Sequence, residues 1–204
     1  MKDNTDMLLH EKRLWSKGYK LIAGVDEAGR GPLAGSVYAA AVILDPDVYI
    51  EGVNDSKKLS AKKREELFDV ICQKAVAWHI ACIDAQEIDN TDILTATLKA
   101  MNTAVDNLKI QPDYVLIDGN QMRGMNREYE TVVKGDATSA SIAAASILAK
   151  VARDRYMCEQ AKLYPQYFFE KHKGYGTKLH CDMLKQYGPC DIHRKTFLTK
   201  ILSK

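Results

Sequence analysis

The sequence has no apolar run near the ~18 residues that a membrane-spanning helix needs. Its start, Met1 to Lys20, is polar and charged where a secretory leader would carry an apolar core. We therefore expect a cytoplasmic protein with no membrane association. Cysteine is sparse and unpatterned: the five residues at 72, 82, 158, 181 and 190 form no Cys-x-x-Cys pair and no Cys/His grouping at zinc-ligand spacing. That excludes a zinc ribbon or a disulfide scaffold, and the odd count fits a reducing compartment. Charge of one sign is also lacking. Lys and Arg number 29 against 27 Asp and Glu, a net +2, so overall charge does not argue for nucleic-acid binding and any such case must rest on local groups. Two nucleotide motifs are missing as well. The glycine-rich loop Gly29 to Gly35 has no Lys-Ser/Thr to make a P-loop, and position 34, where a dinucleotide fingerprint needs its third glycine, is Ala34.

What is present describes an ordinary folded chain of 204 residues, 46% hydrophobic and 27% charged, without repeats or low-complexity segments. The length favours a single domain spanning 1–204, with a core over about 19–160 and a small helical lobe over about 161–204. Short apolar, β-rich runs predict strands at Tyr19–Val25, Val37–Leu44, Ala75–Asp84, Tyr114–Ile117 and Tyr129–Val133. Helical spacing of Leu67, Val70 and Ile71 predicts a helix over Ala61–Lys74 with Ser60 as its N-cap. Leu94, Leu98, Met101 and Val105 share one face of a second helix, Thr91–Leu108, which Gln111 and Pro112 stop. An alanine- and serine-rich helix, Ser139–Met157, follows, then a shorter one around Leu179–Tyr187. Three strands, helical material, strand, helix, strand and long helix give an α/β fold: an antiparallel meander extended by parallel crossover strands.

Four acids stand out against this frame. Asp26 and Glu27 follow the first apolar run and lead into Ala28, Gly29, Arg30, Gly31 and Pro32; Asp118 follows a later run, and Asp136 opens the long helix. Taken singly, each reads as well as a cap or a solvated residue. Together, from separate strand ends of one sheet, they can converge on one pocket. Converging carboxylates repel unless protons or cations lie between them. An all-oxygen donor set favours Mg²⁺ or Mn²⁺ over zinc, and two such ions about 3.5 to 4 Å apart support in-line hydrolysis of a phosphodiester.

The run from Gly24 to Gly35, Gly-Val-Asp-Glu-Ala-Gly-Arg-Gly-Pro-Leu-Ala-Gly, resembles the opening motif of type 2 ribonuclease H, the ribonuclease HII family. Asp55 to Leu59 resembles its lysine-bearing loop, Ile117 to Asn120 its second acidic site and Lys134 to Asp154 its third. His172 to Thr177 resembles its substrate-sensing segment, and His193 to Phe197 its terminal one. The resemblance implies a ribonuclease H-like five-stranded mixed sheet flanked by helices, with a small helical C-terminal lobe. It implies catalytic metal binding at Asp26, Glu27, Asp118 and Asp136. It also implies substrate contacts at Gly29, Arg30 and Gly31, which meet the ribonucleotide and its 2′-hydroxyl, at Lys57 and Lys58, and at Tyr175 against the junction sugar. The implied activity is Mg²⁺- or Mn²⁺-dependent cleavage of the RNA strand of RNA–DNA hybrids. It includes nicking 5′ of ribonucleotides embedded in duplex DNA, by a monomer without an obligate protein partner, in ribonucleotide and primer-RNA removal.

Two rival readings remain, a type 3-like enzyme that needs several consecutive ribonucleotides and a noncatalytic hybrid-binding protein. The Gly29-Arg30-Gly31 loop, and the lack of a type 3 N-terminal domain, favour type 2. Ser36 and Thr196 stand where the family usually has Pro and Ser. Beside Tyr175, Lys171, Lys173 and Lys178 offer phosphate contacts, and Tyr164, Tyr167, Phe168 and Phe169 read as lobe packing. His79, His172, His180 and His193 are assigned no catalysis, and Cys72 and Cys82 read as small core residues.

Overall fold

A computed structural model describes residues 6–48, 50–53 and 59–202. Its centre is a five-stranded sheet in the order β3-β2-β1-β4-β5, built from β1 (Ile22–Ala28), β2 (Val37–Ile43), β3 (Ala77–Ile83), β4 (Tyr114–Asp118) and β5 (Tyr129–Val132). The first three strands pair antiparallel and the last two join parallel, as the element order requires. β1 begins and ends later than the expected strand Tyr19–Val25. It carries Asp26 and Glu27 inside the strand, because Gly24 to Ala28 keep pairing with Val42 to Tyr38 of β2.

Period-two alternation divides the sheet into two faces. Ala23, Val25, Val115 and Ile117 pack with Ala100, Met101, Ala104 and Val105 of α4 (Ile93–Asp106) on one face. On the other, Ile22 and Leu116 meet Ile142, and Ala40 and Val42 meet Ala144 to Ala149 of α5 (Ala140–Leu163), with α2 (Ala61–Lys74) beside it. Side-chain caps set the helix starts: Ser60 accepts from the Lys63 N–H, Asp92 from Leu94 and Thr95, and Ser139 from Ile142.

α5 is buried without a break from Ser141 to Ala149, which explains its even, small-residue composition. It lies so close to β1 that a Cβ on Gly24 would sit 2.0 Å from the Ser141 carbonyl carbon and 2.2 Å from the Ile142 nitrogen. Only glycine permits that approach. The start of α5 is held from the far side by α1 (Leu9–Trp15), a helix the polar N-terminus did not announce. Buried Glu11 accepts from the Ser139 hydroxyl at 2.6 Å and from the Ser141 amide and hydroxyl at 3.1 and 2.6 Å. An acid at a helix N-terminus is the favourable sign for the exposed amides there.

Three other features depart from the sequence reading. A short α3 (Ala85–Asn90), capped by Asp84, precedes α4. α5 runs on to Leu163, past Met157, because Met157 and Ala161 still face apolar partners. Cys82 is exposed rather than in the core, since it sits on the edge strand β3 at a position facing away from Ala81 and Ile83; Cys72 is half-buried. Beyond α5, α6 (Phe169–His172), α7 (Lys178–Tyr187) and α8 (Lys195–Leu202) surround an apolar cluster of Ala34, Met157, Tyr167, Phe169, Leu184 and Leu198. Tyr167 and Phe169 are buried in it, as their aromatic character suggested.

Gly24→Ala must push two backbones apart and is expected to cost at least about 3 kcal/mol, the upper end of ordinary overpacking. Urea unfolding of wild type and variant measures this, and an unchanged midpoint would contradict the close seating of α5 on β1.

Candidate active site

The phase of two neighbouring parallel strands brings the first acids together. Val25 of β1 registers with Ile117 of β4, and Asp26 and Asp118 are the next residue on each strand. Both therefore point to the α5 face. Together with Glu27 they line a cavity of about 270 Å³, whose wall also includes Gly29, Arg30, Gly31 and Tyr175. A larger cavity of about 580 Å³ opens at the other end of β1, and none of the site residues expected from sequence lines it.

Each acid is anchored. The Glu27 amide donates to Asp26 Oδ1 at 2.7 Å, and the Gly135 amide donates to Asp118 Oδ1 at 2.7 Å. The second bond ties Asp118 to the 3-10 turn Gly135–Ala137, which carries buried Asp136 just before α5. Asp136 thus sits in a turn ahead of the helix, one residue from the Asp118 contact, and does not itself line the cavity. Glu27 lies 3.7 Å from the Arg30 guanidinium. Lys57 and Lys58 lie outside the described residues.

Burial, then the charges of Glu27 and Asp118, hold the Asp26 carboxyl well above the usual carboxylate range, although hydrogen bonds from the Ser146 side chain and the Glu27 amide lower it. Among the described residues, no group of three or more His, Cys, Asp or Glu is arranged to hold a metal ion as it stands. The donor chemistry nevertheless suits a hard divalent cation. The acids sharing the cavity offer oxygens only, and Asp26 is buried beside two like charges that a cation would offset.

Several cavity residues are not among those singled out from the sequence. Ser146, Lys150 and Arg153 line the cavity from one face of α5, Ser146 hydrogen bonding to Asp26, and Arg64 comes from α2. The three on α5 are spaced i, i+4 and i+7 and fall within Lys134 to Asp154, a block that carries the family resemblance. Lys150 is paired with Asp154 at 2.8 Å. Arg153, 1% exposed, donates to the Ser36 and Ala34 carbonyls at 3.2 Å each. It lies 5.8 Å from the centre of the Tyr175 ring, which is 45% exposed at the cavity mouth. Gly29 has φ +98°, and a Cβ there would strike Arg153 Nε at 2.0 Å, so the loop needs glycine on both counts. Arg194 is fully buried behind the same loop; burial, then the like charge of Arg153, pulls it down to about 9, which leaves it charged at neutral pH.

The three C-terminal histidines lie away from the acids, in the lobe. Burial pushes His180 and His193 down to about 4 and lowers His172 as well, so all are neutral near pH 7. The two sequence departures are accommodated. Thr196 keeps the hydroxyl, which donates to Asp89 at 2.5 Å, and the Ser36 carbonyl receives Arg153.

The family model described as Ribonuclease HII matches residues 23–200. A Ribonuclease HII of Caldicellulosiruptor bescii is 55% identical over 95% of this chain and 94% of its own length. One of Acetivibrio thermocellus is 57% identical over 94% of this chain and 75% of its own. The crystal structure of the ribonuclease H2 from Pyrococcus horikoshii OT3 superposes with a TM-score of 0.75 at 28% identity, covering 90% of this chain and 97% of that one.

Asp26 binds its proton more tightly in the folded than in the unfolded chain. In metal-free buffer it therefore costs stability increasingly as the pH climbs from the ordinary carboxylate range through the raised value. Asp26→Asn is expected to melt higher than wild type in EDTA at neutral pH, with the gain vanishing below about pH 4, where both states are protonated. A variant melting at or below wild type at neutral pH would contradict the strained carboxylate.

Proposed function

The chain belongs to the ribonuclease HII family, and on that footing we propose that this ribonuclease H enzyme hydrolyses RNA in RNA–DNA hybrids and also nicks duplex DNA 5′ of a single embedded ribonucleotide. The observation that carries the proposal is the shared cavity. Asp26, Glu27 and Asp118 lie on the same wall as Gly29, Arg30, Gly31 and Tyr175, so acids that suit cations adjoin groups that suit a nucleotide.

In this reading Asp26, Glu27, Asp118 and Asp136 hold Mg²⁺ or Mn²⁺. Such ions, when bound, supply the positive charge that activates water and offsets the scissile phosphate. Water attacks phosphorus in line, the P–O3′ bond breaks, and the products carry a 3′-hydroxyl and a 5′-phosphate.

The remaining work belongs to the protein. Amides of the Gly29–Gly31 loop meet the 2′-hydroxyl, the group that separates RNA from DNA. The Arg30 guanidinium, half exposed, takes a phosphate. The Tyr175 ring rests on the sugar at the RNA-to-DNA junction, and Lys57 and Lys58, outside the described residues, add phosphate contacts. A core over about 19–160 carries the acids, while the lobe over about 161–204 presents Tyr175. A monomer without an obligate partner suffices, and ribonucleotide and primer-RNA removal is the role this activity fits. Among the described residues no helix is long and apolar enough to cross a membrane.

The test is an end-labelled DNA duplex bearing one ribonucleotide, incubated with Mg²⁺, Mn²⁺ or EDTA. We expect a metal-dependent nick on the 5′ side of the ribonucleotide. Cleavage only of longer RNA tracts would favour a type 3-like specificity, and binding without cleavage would favour a noncatalytic role. Asp26→Asn and Asp136→Asn should each lower the rate by at least about a thousandfold, several kcal/mol of lost charge stabilisation, while duplex affinity measured by gel shift stays near wild type. Near-normal turnover of either variant at saturating Mg²⁺ would exclude its assigned role.

A further inference from the structure

We infer that the dipeptide His193–Arg194, at the entrance to α8, is a positioning unit that sets both ribonucleotide-reading elements, the Gly29–Gly35 loop and Tyr175, against each other. This deepens the reading above and rests on it, because it presumes that these two elements read the ribonucleotide.

Arg194 works on the loop. Its guanidinium donates to the carbonyls of Gly29 at 2.6 Å, Arg30 at 2.8 Å and Gly35 at 2.7 and 3.0 Å, so one side chain closes the loop from end to end. It is 0% exposed, and these carbonyls account for Nε, Nη1 and Nη2. Lysine, with one nitrogen, cannot span the same set.

His193 works on Tyr175 through a hydrogen-bond chain whose direction the backbone fixes. The Cys190 amide donates to His193 Nδ1 at 2.9 Å, which leaves the proton of the neutral ring on Nε2. His193 Nε2 donates to His180 Nε2 at 3.0 Å, and His180 Nδ1 then donates to the Tyr175 carbonyl at 2.9 Å. His172 stacks on His180 at 4.4 Å and, accepting from the Gly174 amide at 3.2 Å, donates from Nε2 to the Tyr167 carbonyl at 2.9 Å.

The backbone joins the two halves. The Leu33 amide donates to the Gly174 carbonyl at 2.8 Å, the Gly35 amide to Ile192 at 2.8 Å and the Arg194 amide to Leu33 at 2.9 Å, with Ala34 and His193 bridged antiparallel. α3 secures the anchor from outside: Asp89 accepts from the amides of Lys195 at 2.7 Å and Thr196 at 3.0 Å. Misplacing residues 193 and 194 therefore moves both reading elements and leaves Asp26 and Asp118, on the sheet, where they are.

The test compares kcat/KM on two substrates, a DNA duplex with one ribonucleotide and a continuous RNA–DNA hybrid. In the first, one 2′-hydroxyl is the sole signal to be read; in the second, every register offers one. Arg194→Lys should lose at least about ten-fold more on the single ribonucleotide than on the hybrid, the equivalent of one charge-assisted hydrogen bond. His193→Phe should show the same selective loss, and His193→Gln, which keeps a donor near the Nε2 position, should recover most of it. Equal losses on both substrates, or no loss, overturn the inference. A wild type that does not cut the single-ribonucleotide duplex defeats instead the reading beneath it, which keeps the two failures distinct. Amide hydrogen exchange decides without activity and without a variant. In the wild type the amides of Leu33, Gly35 and Arg194 should show one common protection factor, after division by their intrinsic exchange rates, as members of a single opening unit, and clearly different protection factors overturn the shared anchor.

Discussion

The structure depends on an electrostatic conflict. Asp26 is buried, with Glu27 beside it in the chain and Asp118 beside it in space, so desolvation and two like charges all oppose its ionisation. A protein under selection for stability alone would place an apolar residue or a base there. The surroundings instead hold the acids in place. Parallel register sets Asp26 and Asp118 on adjacent strands, the Gly135 amide grips Asp118, and Glu11 and Gly24 seat the start of α5 behind the turn that carries Asp136.

In the proposed reading, the cation-suited part of the cavity lies beside the groups that meet the substrate. The Gly29–Gly31 loop continues straight on from the strand that ends in Asp26, Glu27 and Ala28, so connection places it beside the acids, and Arg194 then holds it through the Gly29, Arg30 and Gly35 carbonyls. Tyr175 must come from the C-terminal region, and its height above Arg153 depends on contacts made far along the chain. In the proposed reading, recognition of the substrate is divided between this loop, set by connection and by Arg194, and Tyr175, set by hydrogen bonding and by the aromatic cluster around Tyr167 and Phe169.

The sequence was most readable where local rules govern. The cap Ser60, the periodicities of α2 and α4, and the short apolar runs that give five strands in a mixed sheet are all short-range signals. Residue chemistry singled out the acids, and the resemblance to ribonuclease HII ordered them. Groups whose meaning is tertiary were not readable. Arg153 and Arg194 fall in blocks that carry the resemblance, but only folding buries both beneath carbonyl groups of one loop. Glu11 lies in a polar stretch that gives no hint of the serines it meets 128 and 130 residues later. Cys82 erred the other way: its apolar neighbours belong to the buried face, while its own position on an edge strand turns it outward.

The central claim is that these distant carboxylates gather to bind divalent cations. Crystals soaked in Mn²⁺ and measured at the manganese absorption edge test it directly. The account predicts anomalous density in the cavity between Asp26 and Asp118, lost in crystals of Asp26→Asn. Manganese found only at other surfaces, or retained unchanged in the variant, would contradict it.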